Sequence, residues 1–138
     1  MAGPTPRDEQ VSRRMKRQPN RGTTPERELA AQLRAFRYLV TENDPSLPGS
    51  PDLVLERHRL VIFVHGCFWH GCPEHFKLPR HNRRWWRAKI EANKRRDRRK
   101  ADAIRRLGWS VCTVWEHSPP DVAAARIRRL IRRRAGLG

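Results

Sequence analysis

Residues 65–75 read His-Gly-Cys-Phe-Trp-His-Gly-Cys-Pro-Glu-His, gathering three histidines, two of the three cysteines and two adjacent rings into one short stretch. Even fully extended it spans only roughly 40 Å. Cys67, Cys72 and His75 supply three of the four ligands that a tetrahedral structural zinc requires. Cys112 and His117 are the distant candidates for the fourth. Cys112 stands between Val111 and Thr113 in a strand-like run and reads as a small buried hydrophobe. His117 follows that run, where a side chain can reach a neighbouring loop, so the expected set is Cys67, Cys72, His75 and His117. The C-x4-C-x2-H spacing is not a strong finger signature, and free thiols beside surface histidines are the plain alternative.

A second chemistry overlaps the first. Hydrolysis of a phosphodiester needs a carboxylate to hold Mg²⁺, a group to deprotonate water, and charge at the developing oxyanion. Asp52, His65 and His70 offer those groups. Each alone is an ordinary turn or loop residue; together, on a very basic chain, they form a candidate hydrolytic site. Phe68 and Trp69, and Trp85 and Trp86 further on, are rings of the kind that stack on bases or wedge between base steps. Trp109 and Trp115 read instead as core.

The elements that must position these groups are legible from pattern. Thr23-Thr24-Pro25-Glu26 is a helix start, with a Thr cap, Pro at the first position and acid in the first turn. Leu29, Leu33 and Phe36 continue it as one buried face over 25–36. Tyr38–Val40 reads as a short strand. The loop 45–51 is rich in Pro and Gly, and it delivers Asp52 to a strand over 52–56. Arg57–Arg59 is a turn, and Leu60–Val64 returns as the buried hairpin partner. That hairpin places Asp52 and His65 at the same end of an antiparallel pair. A long helix is expected over 83–107, stopped by Gly108, then a strand over 109–115. Ser118-Pro119-Pro120 breaks the chain before a last basic helix carrying Val122, Ile127, Leu130 and Ile131. The order α-β-β-β-α-β-α makes the fold class α/β.

Charge narrows the partner. The 138 residues hold 31 Lys+Arg against 14 Asp+Glu, a formal charge of +17, which points to a polyanion and first to nucleic acid. Residues 80–106 alone carry thirteen Lys or Arg and three acids; like charges at i, i+4 repel, and phosphate contact is the natural use. Trp86, Lys89, Ile90, Asn93 and Asp97 share one stripe of that helix. Its polar middle suggests that it faces the site. Residues 1–22 form a basic arm without apolar periodicity, and 23–138 a single domain. No apolar run reaches membrane length and no secretory h-region is present. Three cysteines argue against a disulfide framework, so a cytoplasmic, DNA-associated monomer is expected, with no membrane partner.

Taken together, Pro51-Asp52, Val61-Ile62-Phe63-x-His65-Gly66-Cys67-Phe68-Trp69-His70, Trp86-x-x-Lys89-Ile90-x-x-Asn93, Arg96-Asp97, Gly108-Trp109-x-Val111 and Val114-Trp115-Glu116 resemble the very short patch repair (Vsr) endonucleases. The resemblance covers roughly residues 12–117. It implies a restriction-endonuclease-like core, a mixed β-sheet flanked by helices, with a structural zinc at Cys67, Cys72, His75 and His117. Asp52 would hold catalytic Mg²⁺ with the Val64 backbone carbonyl, His70 would be the general base, His65 its partner at the scissile phosphate, and Glu26 would lie at the site's edge. Phe68, Trp69 and Trp86 would be the wedge beside the mismatch. Lys89 and Asn93 would add DNA contacts, with Met15 of the arm near the mismatch. The loop after His70 is one residue shorter than the family pattern, and His117 stands where a cysteine can occur.

The implied reaction is Mg²⁺-dependent nicking of one strand 5′ to the thymine of a T:G mismatch, as in DNA repair of deaminated 5-methylcytosine. Accessory mismatch-repair proteins would be further partners. The competing readings are a restriction-like nuclease without mismatch specificity and a non-catalytic, zinc-stabilised DNA-binding module.

Overall fold

The computed structural model describes residues 24–74 and 76–136. Met15, the rest of the 1–22 arm, and His75 lie outside the described residues.

Helix α1, Pro25–Ala35, begins as its sequence signals predict: Arg27 N–H donates to Thr24 Oγ1 at 3.3 Å. It ends in a Schellman turn. Arg37 N–H reaches the Arg34 carbonyl, Tyr38 N–H reaches the Leu33 carbonyl, and Arg37 takes φ 68°, where glycine is usual. The cap therefore uses Tyr38, and the first strand does not form over 38–40 as expected. Strand β1 is Thr41–Glu42, pairing Thr41 with Val54 and Glu42 with Leu53.

Strand β2, Leu53–Leu55, and strand β3, Leu60–His65, form the expected hairpin through a 3-10 turn at Glu56–His58. Helix α2, Arg83–Arg106, follows and closes in a second Schellman turn, this time with Gly108 at φ 88°. Trp109 N–H is taken by that turn, so β4 spans Ser110–Trp115 and not 109–115. Strand β4 lies parallel to β3, as a helical crossover permits. Helix α3, Pro120–Arg134, ends the fold. The sheet is mixed, in order β1-β2-β3-β4.

Alternation along the strands decides which helix covers which face. Leu53, Leu55, Leu60, Ile62, Cys112 and Val114 pack against Leu29, Leu33, Ala124 and Ile127 of α1 and α3. Val54, Val61 and Phe63 point the other way, onto Ile104 of α2, with Trp109 and Val111 packed at that cluster's edge. His65 has the parity of Val61 and Phe63, so it emerges on the α2 side of the sheet.

Candidate active site and metal centre

Asp52 sits one residue before β2, and its Oδ2 accepts the Val64 N–H at 2.7 Å. The hairpin register makes this contact, because Leu53 pairs with Ile62 and Asp52 then falls beside Phe63 and Val64. Burial pushes the Asp52 carboxyl pKa up; the Val64 N–H opposes this, the negative charge of Glu26 adds to it, and His70 and Lys100 oppose it. Asp52, Val64, Glu26 and His70 are thus within electrostatic reach of one another.

His65 and His70 stack with ring centroids 3.9 Å apart and planes 7° from parallel. Trp115 packs edge-on to His65 with centroids 5.6 Å apart. Burial and the neighbouring His70 hold the His65 pKa down at about 4, so its ring is neutral at pH 7. His70 differs in one respect: its Nδ1 lies 2.6 Å from Asp97 Oδ2 on α2. A carboxylate only accepts, so the pairing places the proton on Nδ1 and leaves the lone pair on Nε2.

Sequence reasoning put Asp97 on a stripe facing the site but gave it no role, and it passed over Lys100. Both line the two adjoining recesses between β3 and α2: one also holds His65 and Phe63, the other His70, Trp69, Lys89 and Asn93. The signal was there. Asp97 and Lys100 follow Asn93 at i+4 and i+7, on the inward side of α2.

The loop 66–72 is held from three sides. His70 N–H donates to the Gly66 carbonyl and Cys72 N–H to the Cys67 carbonyl. Glu116, just past β4, accepts the Cys67 N–H at 3.1 Å. Asn93 of α2, only 8 % exposed, donates from Nδ2 to the Trp69 carbonyl at 2.9 Å and accepts from Arg96 at 2.6 Å. Asn93, expected to touch DNA, therefore has its amide engaged inside the protein.

The rings form one cluster. Phe68 packs on Trp69 and on Trp86 at 5.2 Å each, and Trp85 stands edge-on to Trp86 at 4.7 Å. Phe68, Trp69 and Trp85 are half-buried, but Trp86 is 1 % exposed. Trp86 presents no face to a ligand here; it is the floor on which Phe68 and Trp69 rest. Lys89 is exposed at the rim.

Beside this lies the sulfur cluster. Cys67 Sγ is 3.1 Å and Cys72 Sγ 3.7 Å from His117 Nδ1, and the three donor atoms all lie within 4.8 Å of one another. Tetrahedral zinc with ordinary bond lengths separates its ligand atoms by roughly 3.5–3.8 Å. His117 Nε2 faces Glu74 Oε2 at 3.5 Å, the carboxylate–imidazole pairing that commonly backs a metal-bound histidine. Burial and the adjacent Cys72 thiol push the Cys67 pKa up to about 11; a bound cation would reverse that preference. Three of the four expected zinc residues are thereby brought together. Cys112 is buried elsewhere, in the core, as expected.

A sequence model of the family described as "DNA mismatch endonuclease Vsr" matches residues 6–75. The chain is 42 % identical over 106 residues to the DNA mismatch endonuclease Vsr of Escherichia coli, covering 76 % of this chain and 68 % of that protein. The chain belongs to the Vsr family. It is 40 % identical over 115 residues to the type II nicking enzyme V.XorIIP of Xanthomonas oryzae pv. oryzae, with 81 % and 85 % of the two chains covered. With the type II nicking enzyme V.NaeI of Lentzea aerocolonigenes the identity is 32 % over 129 residues, covering 90 % and 78 %. A Vsr-family chain is a DNA nicking endonuclease, a phosphodiester hydrolase. The non-catalytic DNA-binding reading made from sequence is overturned by that membership. No helix among the described residues is long and apolar enough to cross a membrane.

Proposed function

We propose that the chain nicks one strand of duplex DNA 5′ to the thymine of a T:G mismatch, by Mg²⁺-dependent hydrolysis on a restriction-endonuclease-like core. The observation that carries the reading is the convergence of Asp52, His65 and the His70–Asp97 pair at one end of β3. A hard cation fits Asp52: the carboxylate is half-buried, only one of its oxygens is tied to Val64 N–H, and Mg²⁺ is ordinarily bound through one or two carboxylates plus phosphate oxygens and water. Bound there with help from the Val64 carbonyl, Mg²⁺ would supply charge to the phosphoryl oxygens.

The chain's own groups do the rest. His70, oriented by Asp97, takes a proton from the attacking water at Nε2. His65, neutral and stacked on His70, fixes the plane of that ring and offers its ring N–H as a donor to the scissile phosphate. Lys100 brings positive charge between the two recesses. Glu26 lies at the edge and bears on the state of Asp52. Phe68 and Trp69, supported by Trp86, form the wedge beside the mismatch; Lys89 contacts DNA from the rim, and Met15 approaches the mispair from the arm. Zinc fits Cys67, Cys72 and His117, with His75 as the fourth ligand, and would fix the loop that carries His70.

Mismatch preference is supported by the name of the Escherichia coli relative, which is a mismatch endonuclease; the other two relatives are named as nicking enzymes. A restriction-like nuclease indifferent to mismatches is the alternative those names favour. Mapping the cut on each end-labelled strand of a T:G duplex tests the reading. One nick, directly 5′ to the thymine, is expected; cuts in both strands would refute it.

A further inference from the structure

The arginines of α3 stand apart from the site. The helix buries Ala123, Ala124, Ile127 and Ile131 against the sheet and α1. Three of its arginines are engaged: Arg126 donates to the Thr113 carbonyl at 2.6 Å, Arg128 covers the Phe36 ring at 4.9 Å, and Arg134 donates to the His58 carbonyl at 3.1 Å. Arg129, Arg132 and Arg133 are exposed, and among the described residues none of them has an ion-pair partner. They are neighbours on one face, at i, i+3 and i+4, where like charges repel. A helix dipole favours cations in the last turn and so accounts for part of Arg132 and Arg133. It does not account for Arg129, nor for a helix whose only acid, Asp121, is in its first turn.

The face also points away from the catalytic groups. Helices α3 and α1 cover one side of the sheet, whereas α2, with Asp97 and Lys100, covers the other. The Arg134–His58 contact fixes the end of α3 at the Glu56–His58 turn, and the length of β3, roughly 17–20 Å, separates that turn from His65. A duplex seated on His70 and Lys89 leaves these arginines uncovered.

We propose that Arg129, Arg132 and Arg133 form a second phosphate-binding face that holds a separate segment of duplex DNA while the first occupies the site. The polyanion is DNA because a DNA nicking enzyme works surrounded by it, and the contact needs only backbone charge. Holding two segments lets the enzyme pass between them without release into solution.

The test saturates a bead-bound T:G duplex with the full chain in EDTA, then adds a fluorescent, fully paired duplex. Capture of the second duplex is expected, falling steeply with salt. The triple variant Arg129→Gln, Arg132→Gln, Arg133→Gln should lose capture at least about tenfold, as expected when three phosphate contacts go. It should keep nicking of a short T:G duplex within about twofold, and its melting temperature should not fall, since repulsion is relieved. The triple Lys variant should capture as the unaltered chain does. No capture by the unaltered chain, equal capture by the Gln variant, or a parallel loss of short-duplex binding would overturn the second face. If the chain captures as expected yet shows no T:G preference in nicking, the mismatch reading falls and this one stands.

Discussion

The imidazoles of His65 and His70 lie face to face, 3.9 Å between centroids and 7° from parallel. Two cationic rings would repel at that separation, and the pair is arranged so that they are not equivalent. His65 is half-buried at the end of β3 and held neutral, whereas His70 on the loop has a carboxylate at 2.6 Å. Stacked rings do not converge their in-plane lone pairs on one atom. A shared metal is therefore a poor use of the pair, and a proton acceptor braced by a neutral neighbour is a good one.

Asp97 is the residue that makes His70 directional. Asp97→Asn offers an amide where Nδ1–H needs an acceptor and permits the wrong tautomer, so the single-turnover nicking rate on a T:G duplex should drop by about 10²–10⁴-fold. Binding of the same duplex, measured in EDTA, should change by less than about threefold, as expected for a group acting in the chemical step.

Gly71 is fixed by its surroundings. It takes φ +64°, and a Cβ there would lie 2.5 Å from Lys94 Cε and 2.9 Å from Ile90 Cγ2. Lys94 can move aside; Ile90, 2 % exposed in the core, cannot. Gly71→Ala should therefore cost about 1–3 kcal/mol from crowding and left-handed strain. Urea unfolding reads the change directly.

Asn93 ties the aromatic loop to α2 through the Trp69 carbonyl. Asn93→Leu leaves that carbonyl and Arg96 without their partner, with a loss of about 1–3 kcal/mol. The same variant should weaken T:G duplex binding, because Phe68 and Trp69 lose the bond that sets their position. Unchanged stability in urea would show that the bond contributes nothing.

The strand–helix order was legible because its signals are local: a Thr-Pro cap at 24–25, an apolar run at 53–55, a β-branched and aromatic run at 60–64, and Gly108 after the long helix. The hairpin register then placed Asp52 beside Phe63 and Val64, at the end of β3 from which His65 emerges. Two things were not legible. The helix end at Arg37 uses a left-handed arginine, so no glycine warned that Tyr38 belongs to a cap and not to a strand. How deep the start of α2 sits beneath the loop depends on a crossover between parallel strands, which is why Trp86 was expected at the surface when it lies beneath it.

The sulfur cluster makes its own prediction. Protein purified without added zinc should carry about one zinc per chain, and Cys72→Ala should lose it. Removal by a strong chelator should lower the melting temperature and slow nicking together, since His70 hangs from the loop that Cys67 and Cys72 close. A zinc content near zero in the unaltered chain would refute the site.

The central claim is tested most directly by one comparison: initial nicking rates on otherwise identical T:G and T:A duplexes, each with Mg²⁺ and with EDTA. The account predicts a nick in the T:G duplex with Mg²⁺, at a rate at least about a hundredfold above T:A, which corresponds to roughly 2.7 kcal/mol of discrimination. It predicts none in EDTA. Equal cutting of the two duplexes, or cutting that survives EDTA, would contradict it.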